Sequence, residues 1–251
     1  MKPIIQHKKI ASFQPLWAEF TGYSFILEGV GVPSADSAYD FSRAVDTMAA
    51  FDTLAEGIAS FGTQRLMGEA LLCLLDPATF HVTAVDLIND DNVTRIELGP
   101  LSTTALRDLA NMRTGSADMP DVLTRLGMQA QAETYALRFR YGGIDLTSTR
   151  AVMVRMEADD DATKTALERL RQWRCEIGKT VLNTIGLKQK ELNPHLTLGY
   201  FANEKRAKRA SSVIKQLDAH LASKMLDQTF TFDRASLYGF TSMERFVRIT
   251  E

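Results

Sequence analysis

The sequence predicts an α+β protein with a bilobal, duplicated fold, in which two antiparallel sheets flank a central cleft and helices lie on the outside. Three observations lead to this expectation. Neighbouring strand patterns mix with helical crossovers, which points to segregated sheets and helices. The order of elements in the first half is run through again in the second. Each half also carries one strand with the pattern His-x-Thr.

Residues 1–20 read as an irregular arm anchored by Phe13 and Trp17. A strand is expected at Tyr23–Val30, ended by Gly29, Gly31 and Pro33, then a helix capped by Ser34 or Asp36 and running to about Ile58. The apolar run around Leu71–Leu75 leads through Asp76-Pro77 into the alternating segment FHVTAVDLI. Helical patterns at 101–127 are broken by Thr114-Gly115-Ser116 and Gly127, and residues 101–128 are longer than a minimal connection needs. Two strands, TYALRFRY and RAVMVRMEA, are joined by a connection containing Gly142-Gly143. Asp159-Asp160-Asp161 opens a helix to about Thr184, where carboxylates complement the helix dipole; a metal site is the sharper and weaker alternative. PHLTLGYFA is a strand, a helix runs from about Asn203 to Ser223, and QTFTFDRASLYGF and ERFVRIT are the closing strands. The division is an arm, 1–20, and one bilobal domain, 21–251, with lobes near 21–150 and 151–251 that are free to exchange strands.

Composition narrows the function. The 251 residues are 45% hydrophobic and 24% charged, an ordinary globular balance. Lys and Arg number 29 against 31 Asp and Glu, a net charge of −2 that argues against long nucleic acid as the main partner. No membrane partner is expected: the run Ala70–Leu75 is far shorter than the roughly 20 apolar residues a spanning helix needs. No signal peptide pattern opens the sequence, and Cys73 and Cys175 read as reduced core thiols, so the expected location is cytoplasmic.

Of four histidines, His81 and His195 stand in the same setting, His81-Val82-Thr83 and His195-Leu196-Thr197. Strand alternation puts each His and its Thr on one face and leaves Phe80, Val82 and Ala84, or Pro194, Leu196 and Leu198, to pack behind. Two such strands side by side give a pocket with two imidazoles and two hydroxyls. That set suits phosphodiester hydrolysis without a metal or other cofactor: one imidazole takes a proton from the attacking oxygen, and one imidazolium protonates the departing oxygen. The Thr83 and Thr197 hydroxyls bind the phosphate oxygens. Partly buried strand histidines bonded to backbone are the bland alternative.

FHVTAVDL and PHLTLGYF, within this duplicated framework, resemble the paired H-x-T motifs of the two-histidine (2H) phosphoesterase superfamily. LLDPATFH is similar to the approach to that family's first motif, and the closing strands are similar to its C-terminal end, so the resemblance covers roughly 21–251. It implies a bilobal fold with His81, Thr83, His195 and Thr197 in the central cleft. It also implies metal-independent phosphodiesterase activity on 2′,3′-cyclic phosphates, 2′,5′-linked nucleotides or RNA ends. The expected substrate is thus a small nucleotide or RNA terminus, with the 2′,3′-cyclic type favoured. Two other readings stand beside it: a non-catalytic module binding a nucleotide or phosphometabolite in the same cleft, and an RNA 2′,5′ transesterase of ligase type.

The remaining features carry less. Asp86 is at odd spacing from His81 and faces the other way in a regular strand, His7 belongs to the arm surface, and His220 to a charged helix. Gly29-Val30-Gly31 reads as a turn rather than a dinucleotide fingerprint. The run Lys205–Arg209 is read as a solvated helix face, with phosphate steering as the alternative. Tyr23, Phe25, Tyr141, Tyr238 and Phe240 are the candidates for stacking on a base.

Overall fold

A computed structural model describes residues 4–11, 17–30, 32, 48–92, 134–182 and 191–249. The strands are β1 Gly22–Gly29, β2 Leu72–Leu74, β3 Val82–Asn89, β4 Leu137–Ile144, β5 Ala151–Ala158, β6 His195–Phe201, β7 Phe230–Ser242 and β8 Arg245–Arg248. The helices are α1 Ala49–Ala70, α2 Asp161–Ile177, α3 Glu204–Arg209 and α4 Ser211–Lys224. A π turn, Gly178–Leu182, prolongs α2. The start expected for the first helix at Ser34 or Asp36, and the patterns at 101–127, fall outside the described residues.

Each expected strand is present, and the departures have local causes. The first helix runs on past Ile58 to Ala70 by tolerating a break at Gly62, whose φ of 114° suits a residue without Cβ. Gly142-Gly143 lies inside β4, and the reversal comes later, at Asp145–Arg150. The helix expected from Asn203 is two helices that meet at Ala210. At the acidic triplet, Asp160 caps α2 by accepting from the Thr163 amide at 2.7 Å. Asp159 pairs with Arg138 and Arg140, and Asp161 with Lys164. Capping and ion pairing therefore account for all three carboxylates.

The α+β class holds, but the two separate sheets do not. The strands form one closed antiparallel ring, β1-β3-β6-β5-β4-β7 and back to β1, with β8 added to β7 and β2 to β6. Two joints close it. The long strand β7 pairs with β4 through Phe230–Phe232 and with β1 through Phe232–Phe240. On the opposite side, β3 meets β6 at Val82 and Leu196. Closure satisfies backbone groups that two free sheet edges would expose. The runs on either side of these joints mix the two halves of the sequence: β7 and β8 lie with β1 and β3, while β2 and β4 lie with β5 and β6.

Packing behind the ring is aromatic. Phe51 of α1 touches Phe80, Phe230 and Phe232, and Phe139 lies against Phe232. Burying each such ring stabilises the fold by about 2–3 kcal/mol. Trp173 of α2 meets Phe25 edge-on at 5.0 Å. α1 and α4 approach closely because Gly57 leaves room for Leu221; a Cβ at Gly57 would lie 2.7 Å from Leu221 Cδ2. Among the described residues, no helix is long and apolar enough to cross a membrane.

Candidate active site

The two His-x-Thr segments are neighbours. Val82 and Leu196 are register partners and fully buried, so both motifs turn the same side to the core. An antiparallel pair centred there sets His81 across from Thr197 and Thr83 across from His195, on the opposite face. All four of these side chains are half-buried. The ring closure that overturns the two-sheet expectation is thus what brings the four residues together.

The repeat extends to the groups that orient the rings. Before His81, Asp76 caps a tight turn at Pro77–Thr79 by accepting from the Ala78 amide at 2.9 Å. The turn aims the Thr79 carbonyl at His81 Nδ1, 2.7 Å away. In the second copy the Asn193 carbonyl lies 2.8 Å from His195 Nδ1. A carbonyl only accepts, so each Nδ1 carries the proton and donates it. Nε2 is then the ring nitrogen of each that can accept a proton or, once protonated, donate one.

The surroundings of the two rings differ. Burial, with help from the Lys9 ammonium and from His195, lowers the His81 pKa to about 4, against the raising effect of the Thr79 carbonyl. His81 is therefore neutral at neutral pH. On the other side, Asp145 is held below the usual carboxyl range, first by its bond from Thr147 and also by His195. Lys9 thus bears on His81, whereas His195 has both Asp145 and its register partner Arg155 beside it.

Bulges add residues that a regular strand would turn away. Between β1 and β3 the register passes from Phe25–Val85 to Ile26–Thr83, leaving Ala84 as an extra residue. Asp86 consequently shares the face of Thr83, contrary to the alternation expected from sequence. Its Oδ1 accepts from Ser24 Oγ at 3.3 Å and Asn89 Nδ2 at 3.1 Å. Burial raises its pKa, and the Lys9 ammonium is the first of the influences that oppose this. Arg174 donates to the carbonyl of the extra residue, Ala84. A second bulge at Leu198, where the β5–β6 register passes from Val152–Gly199 to Met153–Thr197, brings Tyr200 onto the Thr197 face. Gly199 is needed beside it, because a Cβ there would lie 2.4 Å from the Cys73 carbonyl oxygen of β2.

The arm, left without a role by the sequence, contributes to this face. The Gln6 and His7 amides donate to the Ala202 carbonyl at 2.7 and 3.2 Å, and Asn203 Nδ2 donates to the Ile4 carbonyl at 2.7 Å. His7 is not on the open surface expected for it. Its ring centroid is 4.7 Å from that of Tyr200, and burial together with the Lys9 and Arg150 charges lowers its pKa to about 4. Lys9 Nζ donates to Tyr200 Oη at 3.1 Å. A file of rings, Phe20, Phe240 and Phe246, connects the arm to His81, with the Phe246 centroid 4.7 Å from the imidazole. No motif in the sequence marked Lys9 or Tyr200, and only the aromatic anchors hinted that the arm is seated.

The other candidates sort simply. Tyr23, Phe25, Tyr238 and Phe240 are buried in packing, and Tyr141 Oη is engaged by Asp218 at 2.8 Å. The four buried rings present no open face for a base. In the 205–209 run, Lys208 pairs with Glu204 at 2.7 Å on an exposed helix face. Burial lifts the half-buried Cys73 to about 11, whereas Cys175 is exposed rather than in the core. His220 bonds Ser60 at 3.0 Å, away from the motifs.

No protein-family model matches the chain, and no curated protein matches it in sequence. Among solved structures, it is similar to the conserved protein of unknown function ATU0111 from Agrobacterium tumefaciens str. C58. That likeness has a TM-score of 0.59 at 12% identity and covers 100% of this chain and 93% of the other. At this identity the likeness concerns the fold alone.

Proposed function

We propose that the chain is a metal-independent phosphodiesterase of two-histidine type, hydrolysing a 2′,3′-cyclic phosphate on a small nucleotide or RNA terminus. The observation that carries this reading is the Val82–Leu196 pairing, which sets two Nδ1-anchored imidazoles and two threonines on one face. His81, neutral beside Lys9, is the general base, and His195, near the Asp145 carboxylate, is the general acid. Water's oxygen bonds to phosphorus as His81 Nε2 takes its proton. The bond from phosphorus to the 2′ or 3′ oxygen then breaks, and His195 Nε2–H supplies the proton that this oxygen gains. Thr83 and Thr197 hydroxyls donate to the non-bridging oxygens as charge builds on them.

The test is turnover in EDTA on 2′,3′-cyclic mononucleotides, 2′,5′-linked dinucleotides and cyclic-phosphate-ended RNA, with the single variants His81→Ala and His195→Ala. Each variant is expected to lose about 10²–10⁴ in rate. Undiminished turnover in either variant removes that histidine from the mechanism. Phosphate-ligand binding without turnover of any of these substrates favours the binding-module reading.

A further inference from the structure

Lys9 is an ammonium in an unusual setting. Its Nζ lies 4.5 Å from the Phe20 ring centroid and 4.8 Å from that of Tyr200, with Tyr200 Oη as its hydrogen-bond acceptor. Its neighbour Lys8 pairs with Asp91 at 2.8 Å, whereas Lys9 has no carboxylate at ion-pair distance among the described residues. A half-buried cation held by rings and one phenol has lost water, and the Asp86 and Asp91 carboxylates act on it only from beyond ion-pair distance. An anion entering beside Lys9 would supply a counter-charge in direct contact.

The arm is built to keep the ammonium there. Lys9 sits in a turn closed by the Ile10 amide donating to the His7 carbonyl at 3.1 Å, and it is held further by the Ala18 amide donating to the Lys9 carbonyl at 2.9 Å and by the Ile10–Trp17 bridge. Trp17 packs edge-on against Tyr200 at 5.9 Å. Tyr200 itself reaches the Thr197 face through the Leu198 bulge, so Lys9, bonded to it, stands on the same side of the sheet as the His-x-Thr pair. Lys9 also acts on His81 more strongly than His195 does, which agrees with that placement.

We infer that the arm completes an anion subsite in which Lys9, set on Tyr200, binds the phosphoryl oxygens of the nucleotide held by Thr83 and Thr197. The inference rests on the proposed function for the identity of the ligand, and it gives the arm a direct part in substrate binding. Lys9 is a positioning and charge-neutralising residue here, with no proton to transfer.

The probes are inorganic phosphate and adenosine 2′-monophosphate, titrated calorimetrically into the full chain and into Lys9→Met, Lys9→Arg and Lys8→Gln. Methionine keeps an unbranched stem between the two rings and removes the ammonium, with its charge and its bond to Tyr200. Lys9→Met should weaken both probes by about 10–100-fold, the range a charge-assisted hydrogen bond contributes. Lys9→Arg should stay within about three-fold of the parent, and Lys8→Gln within about two-fold, if a properly placed cation is what matters. An unchanged affinity in Lys9→Met, an equal loss in Lys8→Gln, or no binding of either probe by the parent overturns the inference. Should Lys9→Met unseat the arm, failure of Lys9→Arg to retain affinity in a normally folded protein overturns it as well. The two proposals fail separately. Lysine-dependent binding without turnover sinks the phosphodiesterase reading alone, and turnover with unchanged phosphate inhibition in Lys9→Met sinks the subsite alone.

Discussion

Replacing His81 with glutamine should make the protein less sensitive to acid. The imidazole has a pKa of about 4 in the folded chain against 6.5 when unperturbed. Between those values the unfolded chain binds more protons, so stability falls as pH drops through the window. At about pH 4.5, relative to about pH 7, this one group costs about 2 kcal/mol of folding free energy, allowing for its partial exposure. Glutamine removes the titration, and its amide can still donate to the Thr79 carbonyl. Urea unfolding of both proteins at these two pH values gives the comparison directly. His7 titrates in the same direction, but it is present in both proteins and cancels from the difference. The variant should be less stable or equal at neutral pH, yet lose about 2 kcal/mol less than the parent on acidification. Equal losses in the two proteins would show that His81 is not held neutral by the fold, and would remove the basis for calling it the base.

Three further outcomes follow from particular contacts. Glu28 is buried and accepts from Arg234 Nε at 2.6 Å, Arg248 Nε at 2.7 Å and the Tyr238 hydroxyl, so Glu28→Gln takes away the charge that two guanidinium groups share. It should destabilise the chain by about 3–5 kcal/mol, read from the denaturant midpoint. Thr83→Val and Thr197→Val should leave the fold within about 1–2 kcal/mol of the parent while lowering kcat/KM on a cleaved phosphodiester by about 10–100-fold each. Gly199→Ala forces β2 from β6 at the Cys73 carbonyl and should cost about 1–3 kcal/mol in thermal unfolding, with a smaller loss if β2 yields easily.

The motif-bearing strands were legible in the sequence because period-two alternation states directly which side chains share a face. His81 with Thr83, and His195 with Thr197, are read this way without knowledge of the partner strand. The helix-capping role of Asp160 was equally local. What alternation hides is any place where the period slips. One extra residue at Ala84 turns Asp86 into the site, and one at Leu198 does the same for Tyr200. Neither slip leaves a mark in composition. Closure of the ring was hidden for a different reason: it depends on β7 being long enough to pair with both β4 and β1, a property of the assembled register and not of the segment. The arm was the least legible part, since His7 and Lys9 acquire meaning only through the backbone bonds that seat residues 4–7 against Ala202 and Asn203.

The central claim is that His81 and His195 act as base and acid on one phosphate. Its most direct measurement is kcat/KM against pH, in EDTA, for the parent, His81→Gln and His195→Gln on a 2′,3′-cyclic nucleotide. The parent should give a bell whose acid limb lies well below the unperturbed 6.5, following the lowered His81 pKa. The residual activity of His81→Gln should lack that acid limb, whereas that of His195→Gln should keep it. A profile with the same two limbs in all three proteins would contradict the account.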